Sequence, residues 1–168
     1  KTSQVIGRQV RHMTSLVDDL LDVSRVTRGL VELHTGRLDL RHIVNDAVEQ
    51  VTPLIHARRH PLALTLPPQA PLVEGDHKRL VQVLANLLSN AAKYTPEGGH
   101  ITLSTEVRAT HVLLRVADDG IGMAPELVAR AFELFSQAER SSDRSLGGLG
   151  LGLALVKSLV SLHHGSVK

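Results

Sequence analysis

Asn86-Leu87-Leu88-Ser89-Asn90-Ala91-Ala92-Lys93-Tyr94-Thr95-Pro96 is the stretch that decides how this chain is read. It closes a segment, about His77–Lys93, whose apolar residues recur at helical spacing, with Asp76 placed to cap its start. Leu80, Val83, Leu84, Leu87, Leu88 and Ala91 form a broad apolar face. Arg79, Gln82, Asn86, Asn90 and Lys93 fall on another. Asparagine is a poor choice inside a helix beside Glu or Ala, so two of them one turn apart ask for a reason. An amide oxygen can ligate Mg²⁺, and a lysine ammonium can meet a phosphate. A solvated helix surface accommodates the same residues, and the pattern alone does not separate the two.

Downstream, His100–Arg108 and His111–Ala117 predict a hairpin turning at Ala109-Thr110. It runs into Asp118-Asp119-Gly120-Ile121-Gly122. Glycines there let the backbone turn tightly and approach a ligand, and a buried carboxylate beside them could accept from an adenine amine. A plain Asp-Gly turn fits as well. Ala124–Leu134 predicts a short helix, and residues 136–149 a mobile polar loop. Gly147-Gly148-Leu149-Gly150-Leu151-Gly152-Leu153 then opens a helix over Gly150–His163. A glycine loop entering a helix N-terminus offers free N–H groups and a positive dipole end to phosphate. No Gly-Lys-Ser/Thr follows, so this is not a Walker loop. A flexible hinge is the competing reading.

Upstream, Leu62–Leu66 alternates as a strand, and Pro67, Pro68 and Pro71 mark a loop. Asp39 caps a helix predicted over Leu40–Arg59, broken at His60-Pro61, and Leu30–His34 reads as a strand. Residues 1–28 are polar apart from Ile6, Val10, Met13, Val17 and Leu20, the seam of a bundle or coiled coil, with Gly29 as the stop. A single amphipathic helix packed on its own domain shows the same stripe.

The composition excludes several classes. With 42% apolar residues in 168, the chain can bury a core. No run is long and apolar enough to span a bilayer, and the first residues do not build a signal peptide. There is no cysteine, hence no disulfide or thiolate chemistry. A net charge of +2, with Tyr94, Phe132 and Phe135 as the only Phe, Tyr or Trp residues, argues against nucleic acid. The histidines suggest no metal site: Pro61 follows His60, one turn from His56, and the pair His163-His164 has no evident third ligand.

Taken in order, these segments resemble the sensor histidine kinases of two-component systems. Asn86–Pro96 is similar to their N box, Asp118–Gly122 to the first glycine box, Phe132-Glu133-Leu134-Phe135 to the F box, and Gly148–Leu153 to the second glycine box. Residues 5–28 look like the second helix of the family's dimerisation domain. The resemblance implies an α+β fold: a two-layer α/β sandwich, its mixed sheet covered by helices, preceded by a long N-terminal helix. It implies two parts, residues 1–28 from the dimerisation hairpin and 29–168 as the catalytic ATP-binding domain, cut short at its C-terminal end. The same pocket occurs in gyrase, MutL and a class of chaperones.

Carried over residue by residue, the resemblance implies ATP and Mg²⁺ as cofactors. Asn90 would ligate the metal. Lys93 and Tyr94 would contact phosphate and the nucleotide pocket, and Asn86 and Lys93 would be the catalytic pair. Asp118 would read the adenine amine, with Gly120 and Gly122 shaping the pocket. Gly148, Leu149, Gly150, Leu151 and Gly152 would line the triphosphate. Phe132 and Phe135 would anchor a lid over about residues 136–147, unless they simply pack in the core. The implied partners are the dimerisation domain of the same kinase, in a homodimer, and the receiver domain of a response regulator. No nucleic acid or membrane contact is expected of this segment, and the implied location is cytoplasmic.

One position and one absence refine this. Gyrase-like relatives place a water-activating glutamate where this chain has Asn86, and an amide is not a general base. The family's acceptor motif, His-Glu/Asp-x-x-Thr/Asn-Pro, does not occur, and His12 falls on the segment matching the other helix. A gyrase- or chaperone-type ATPase, an anti-sigma-type serine kinase and a non-catalytic binding module are the alternatives.

Overall fold

A computed structural model of the chain describes residues 2–136 and 150–168. The elements in chain order are α1 (Thr2–Thr27), β1 (Gly36–Asp39), α2 (Leu40–Ala57), β2 (Leu62–Thr65), β3 (Leu72–Gly75), α3 (His77–Tyr94), β4 (Ile101–Val107), β5 (Val112–Asp118), α4 (Pro125–Arg130) and α5 (Gly152–Leu162). They fall into two units, Leu33–Ala124 and Lys1–Glu32 with Pro125–Lys168.

The Leu33–Ala124 unit is an α+β arrangement of two layers. β2 runs parallel to β4 in the register Leu62↔Ile101, and β4 antiparallel to β5 with Leu103 opposite Val116, giving a mixed sheet ordered β2-β4-β5. A second, two-stranded sheet pairs β1 antiparallel to β3. α2 packs on α3. Between helices and sheet lies one apolar core that includes Ile43, Val44, Leu84, Leu88, Ile101 and Leu103, each at most 1% exposed. Burial on this scale, roughly 1.5–3 kcal/mol per large side chain, is what makes the layers cohere.

Both core helices start as the sequence dictates. Asp39 Oδ1 accepts from the Arg41 N–H at 2.7 Å, and Asp76 Oδ1 from the Arg79 N–H at 3.1 Å. α2 stops in a Schellman turn: the Arg59 N–H reaches His56 O, the His60 N–H reaches Ile55 O, and Arg59 takes a left-handed φ of 53°.

One predicted strand is displaced. Leu30–His34 is not a strand; the strand is Gly36–Asp39. The His34 N–H is drawn to the Asp76 carboxylate at 2.8 Å, so it is not offered to a ladder, and the ladder partner, Leu72–Gly75, lies opposite 36–39. That partner strand follows the proline loop and escaped the sequence reading.

In the other unit the long N-terminal helix is present, and α1 packs against α5. Gly29, at φ 67°, closes α1 in a second Schellman turn, with the Gly29 N–H on Val26 O and the Leu30 N–H on Arg25 O. Ile6, Val10, Met13, Val17 and Leu20 are all exposed, whereas Val23 and Val26 are buried. The predicted helix Ala124–Leu134 is shorter: it ends at Arg130, after which the Ala131 N–H bonds Val128 O and the Glu133 N–H bonds Arg130 O in three-residue turns.

Candidate nucleotide site

α3 carries the polar row. Arg79, Gln82, Asn86, Asn90 and Lys93 are all half-buried, so this is not a solvated helix face. The Arg79 guanidinium donates to the Gln82 amide oxygen at 2.9 Å, which orders the first two members. Asn86 Nδ2 is buried and has no hydrogen-bond partner among the described residues. A buried amide hydrogen without an acceptor costs stability that a ligand or an ordered water would restore.

The row is held at both ends. At its start, burial alone would raise the Asp76 pKa. The backbone N–H groups of His34 and Arg79, helped by the Arg79 charge, overcome this and hold the carboxyl below the usual carboxylate range. At its end, the Thr95 N–H completes the helix on Ala91 O, and the Ile121 N–H donates to Tyr94 O at 3.1 Å. That bond brings the Asp118–Gly122 turn against the last turn of α3.

The turn explains its own composition. The Gly120 N–H donates to Asp118 Oδ1 at 2.9 Å. A Cβ at Gly120 would lie 2.6 Å from both Tyr94 O and Asp118 Oδ1, so only glycine fits. Gly122 has φ 67° and open space around it, a backbone requirement rather than a packing one.

The two adjacent carboxylates divide the work. Asp119 accepts from the His100 N–H at 2.7 Å and faces the His100 ring at 3.1 Å. Those two bonds, the backbone one first, hold its carboxyl below the usual range. Among the described residues the Asp118 carboxylate takes its bond from the Gly120 N–H, and the residue is exposed. The sequence reading expected Asp118 to be buried. It ends β5, which among the described residues pairs with β4 on one side only, and the ladder stops there.

Sequence reasoning missed the residues beneath this turn. His60, 5% exposed, sets Nδ1 2.9 Å from Gly99 O and Nε2 3.0 Å from Ala92 O, linking the last turn of α3 to the approach of β4. Thr95 is 1% exposed and its hydroxyl has no partner among the described residues. The signal was a histidine before a proline at a helix end, which read as a breaker.

The glycine-rich segment belongs to the other unit. Gly148 and Leu149 lie outside the described residues, as does the proposed lid beyond Ser136. Gly150 has φ 70°, and its carbonyl accepts from the Phe135 N–H at 3.1 Å. A Cβ there would meet Ser136 O at 2.8 Å. Phe135 is 62% exposed, so core packing does not explain it, while Phe132 is half-buried. Leu151, buried, is the N-cap of α5 and its side chain makes no capping bond, so among the described residues no side chain caps the first turn that Gly152 opens.

Among the described residues no three His, Cys, Asp or Glu side chains group to hold a metal. A metal here would need amide oxygens, water and ligand phosphates instead. No described helix is long and apolar enough to cross a membrane.

Residues 75–168, more than half of the chain, match the histidine kinase-, DNA gyrase B- and HSP90-like ATPase family. The chain belongs to this family. Within it, the sensor histidine kinase TrcS of Mycobacterium tuberculosis is 41% identical over 168 residues, covering 96% of this chain and 32% of that protein. The circadian input-output histidine kinase CikA of Thermosynechococcus vestitus is 36% identical over 164 residues, covering 96% of this chain and 22% of that protein. Full-length ShkA, solved in complex with AMPPNP, superposes with a TM-score of 0.79 at 32% identity, over 96% of this chain and 34% of that one. Residues 75–168 are thus a domain of the histidine kinase-, DNA gyrase B- and HSP90-like ATPase fold, and the relatives named here are histidine kinases. The chain spans about a fifth to a third of the length of the two curated relatives named here, 22% and 32%.

Proposed function

We propose that this chain binds ATP and passes its γ-phosphoryl group to a histidine on a dimerisation domain of the same kinase, for relay to the receiver domain of a response regulator. The observation that carries the reading is the half-buried row Asn86, Asn90, Lys93 leading directly into the Tyr94–Ile121 bond beside the exposed Asp118. In this reading residues 1–28 are the second helix of the dimerisation hairpin and 29–168 the catalytic domain, acting in the cytoplasm.

Asp118 accepts from the adenine amine, with Gly120 and Gly122 allowing the base to approach the backbone. Tyr94 borders the pocket. The glycine-rich segment carrying Gly148, Leu149, Gly150, Leu151 and Gly152 is assigned to the triphosphate, with Gly152 opening α5. Lys93 meets a phosphate.

The residues fit Mg²⁺: Asn90 supplies a half-buried amide oxygen one turn from the orphaned Asn86 amide, and Mg²⁺ commonly takes only one or two protein ligands plus water and phosphates. When bound, the ion would neutralise charge on the triphosphate oxygens. In the transfer, the acceptor nitrogen forms a bond to the γ-phosphorus, the bond to the bridging oxygen breaks, and ADP leaves. Asn86 orients rather than activates, because an amide takes no proton from water. Catalysis then rests on alignment and on charge stabilisation by Lys93.

Titration with Mg·ATP, followed by assay of released phosphate, tests the reading. ATP should bind and be hydrolysed only slowly. Failure to bind, or steady turnover like a gyrase-type ATPase, contradicts it.

A further inference from the structure

Thr95 is almost fully enclosed, at 1% exposure, and its hydroxyl has no partner among the described residues. A buried hydroxyl left unpaired costs more than the bond it could make is worth, so an unoccupied donor at this depth points to a use. Its surroundings say which. Thr95 Oγ1 lies 3.0 Å from the point where a Gly120 Cβ would sit, and Asp118 Oδ1 lies 2.6 Å from that same point. Hydroxyl and carboxylate therefore converge on one side of Gly120. The carboxylate already takes one hydrogen bond, from the Gly120 N–H, and has lone pairs to spare.

The hydroxyl itself is out of solvent's reach, so it does not touch a nucleotide directly. The geometry points to Thr95 as a positioning residue for Asp118: its O–H donates to Oδ1 when the base engages the carboxylate, fixing that oxygen between Thr95 and Gly120 and turning Oδ2 to the adenine amine. This deepens the proposed nucleotide reading and rests on it. Thr95 acts only through Asp118 and has no contact with the phosphates.

The test uses four variants of this chain: Thr95→Val, which keeps the shape and removes the hydroxyl, Thr95→Ser, which keeps the hydroxyl, Asp118→Ala, and the double variant Thr95→Val/Asp118→Ala. Thermal melting without nucleotide and ATP and GTP affinities are measured for each. Thr95→Val should melt no lower than the parent, since an unpaired polar group is lost, yet bind ATP about tenfold more weakly. Thr95→Ser should bind ATP as the parent does. In the Asp118→Ala background, Thr95→Val should change nothing. GTP affinity should not respond to Thr95.

Parent-like ATP binding by Thr95→Val, or an undiminished effect of it without Asp118, overturns the inference while leaving the adenine reading in place. Thr95→Ser binding as weakly as Thr95→Val assigns the loss to packing and overturns it also, even if Thr95→Val melts early. Parent-like ATP binding by Asp118→Ala overturns the adenine reading itself, and the Thr95 role with it.

Discussion

Tyr94 and Ile121 are joined backbone to backbone, the Ile121 N–H donating to the Tyr94 carbonyl over 3.1 Å. The bond ties the end of the helix bearing Asn86, Asn90 and Lys93 to the glycine turn bearing Asp118. Gly120 makes the approach possible. Gly120→Ala should therefore destabilise the fold by about 1–3 kcal/mol, because the added carbon meets a backbone oxygen that cannot swing away. Gly122→Ala meets nothing and suffers only its left-handed backbone, about 1–2 kcal/mol or less. Urea unfolding of the two variants, with the larger loss at Gly120, checks the order.

Asp118→Ala should weaken ATP binding by about 1.5 kcal/mol, or tenfold, the lower end for a hydrogen bond to a charged group because this carboxylate is exposed. GTP should be much less affected, since guanine carries a carbonyl where adenine carries its amine. Calorimetric titration with both nucleotides decides it; equal losses contradict a role in reading the base.

Asn90→Ala should lower Mg·ATP affinity and leave the helix intact, because Asn90 lies on the half-buried polar row and outside the core. Circular dichroism and a Mg²⁺ titration at fixed ATP separate the outcomes. Loss of helicity would make Asn90 structural.

These predictions draw on residues that were legible to different degrees. The helices around Ile43 and Leu84 were plain, since apolar spacing and an aspartate cap agree for each. Asn86, Asn90, Asp118 and Gly120 stood out as chemically odd choices in a helix and a turn. β3 was hidden because four residues after three prolines carry too little pattern, and its identity depends on the partner Gly36–Asp39. His60 and Thr95 were invisible for another reason. Their importance lies in contacts with residues over 20 positions away, Ala92, Gly99 and Gly120, which no local pattern encodes.

Acid should unfold the chain partly through Asp76. Its folded-state pKa is depressed, so its contribution is complete above the ordinary carboxylate range, near pH 4, and is lost as pH falls through the lower folded value. Asp76→Asn keeps a capping oxygen and should flatten this part of the stability–pH profile. Asp76→Ala should cost about 1 kcal/mol at neutral pH, with the His34 N–H left unpaired as well. Urea midpoints from pH 3 to 7 report both.

The central claim is that this chain is the ATP-handling half of a histidine-directed transfer, with the acceptor on another segment. None of its ten histidines stands in the acceptor motif. The direct measurement is incubation of the chain with γ-labelled Mg·ATP, alone and with a separate dimerisation domain bearing an intact acceptor histidine. The account predicts no label on this chain and acid-labile, alkali-stable label on the added domain, lost with Asn90→Ala. Acid-labile label on His12 of this chain, or ATP binding with no transfer to any histidine-bearing dimerisation domain, would contradict it.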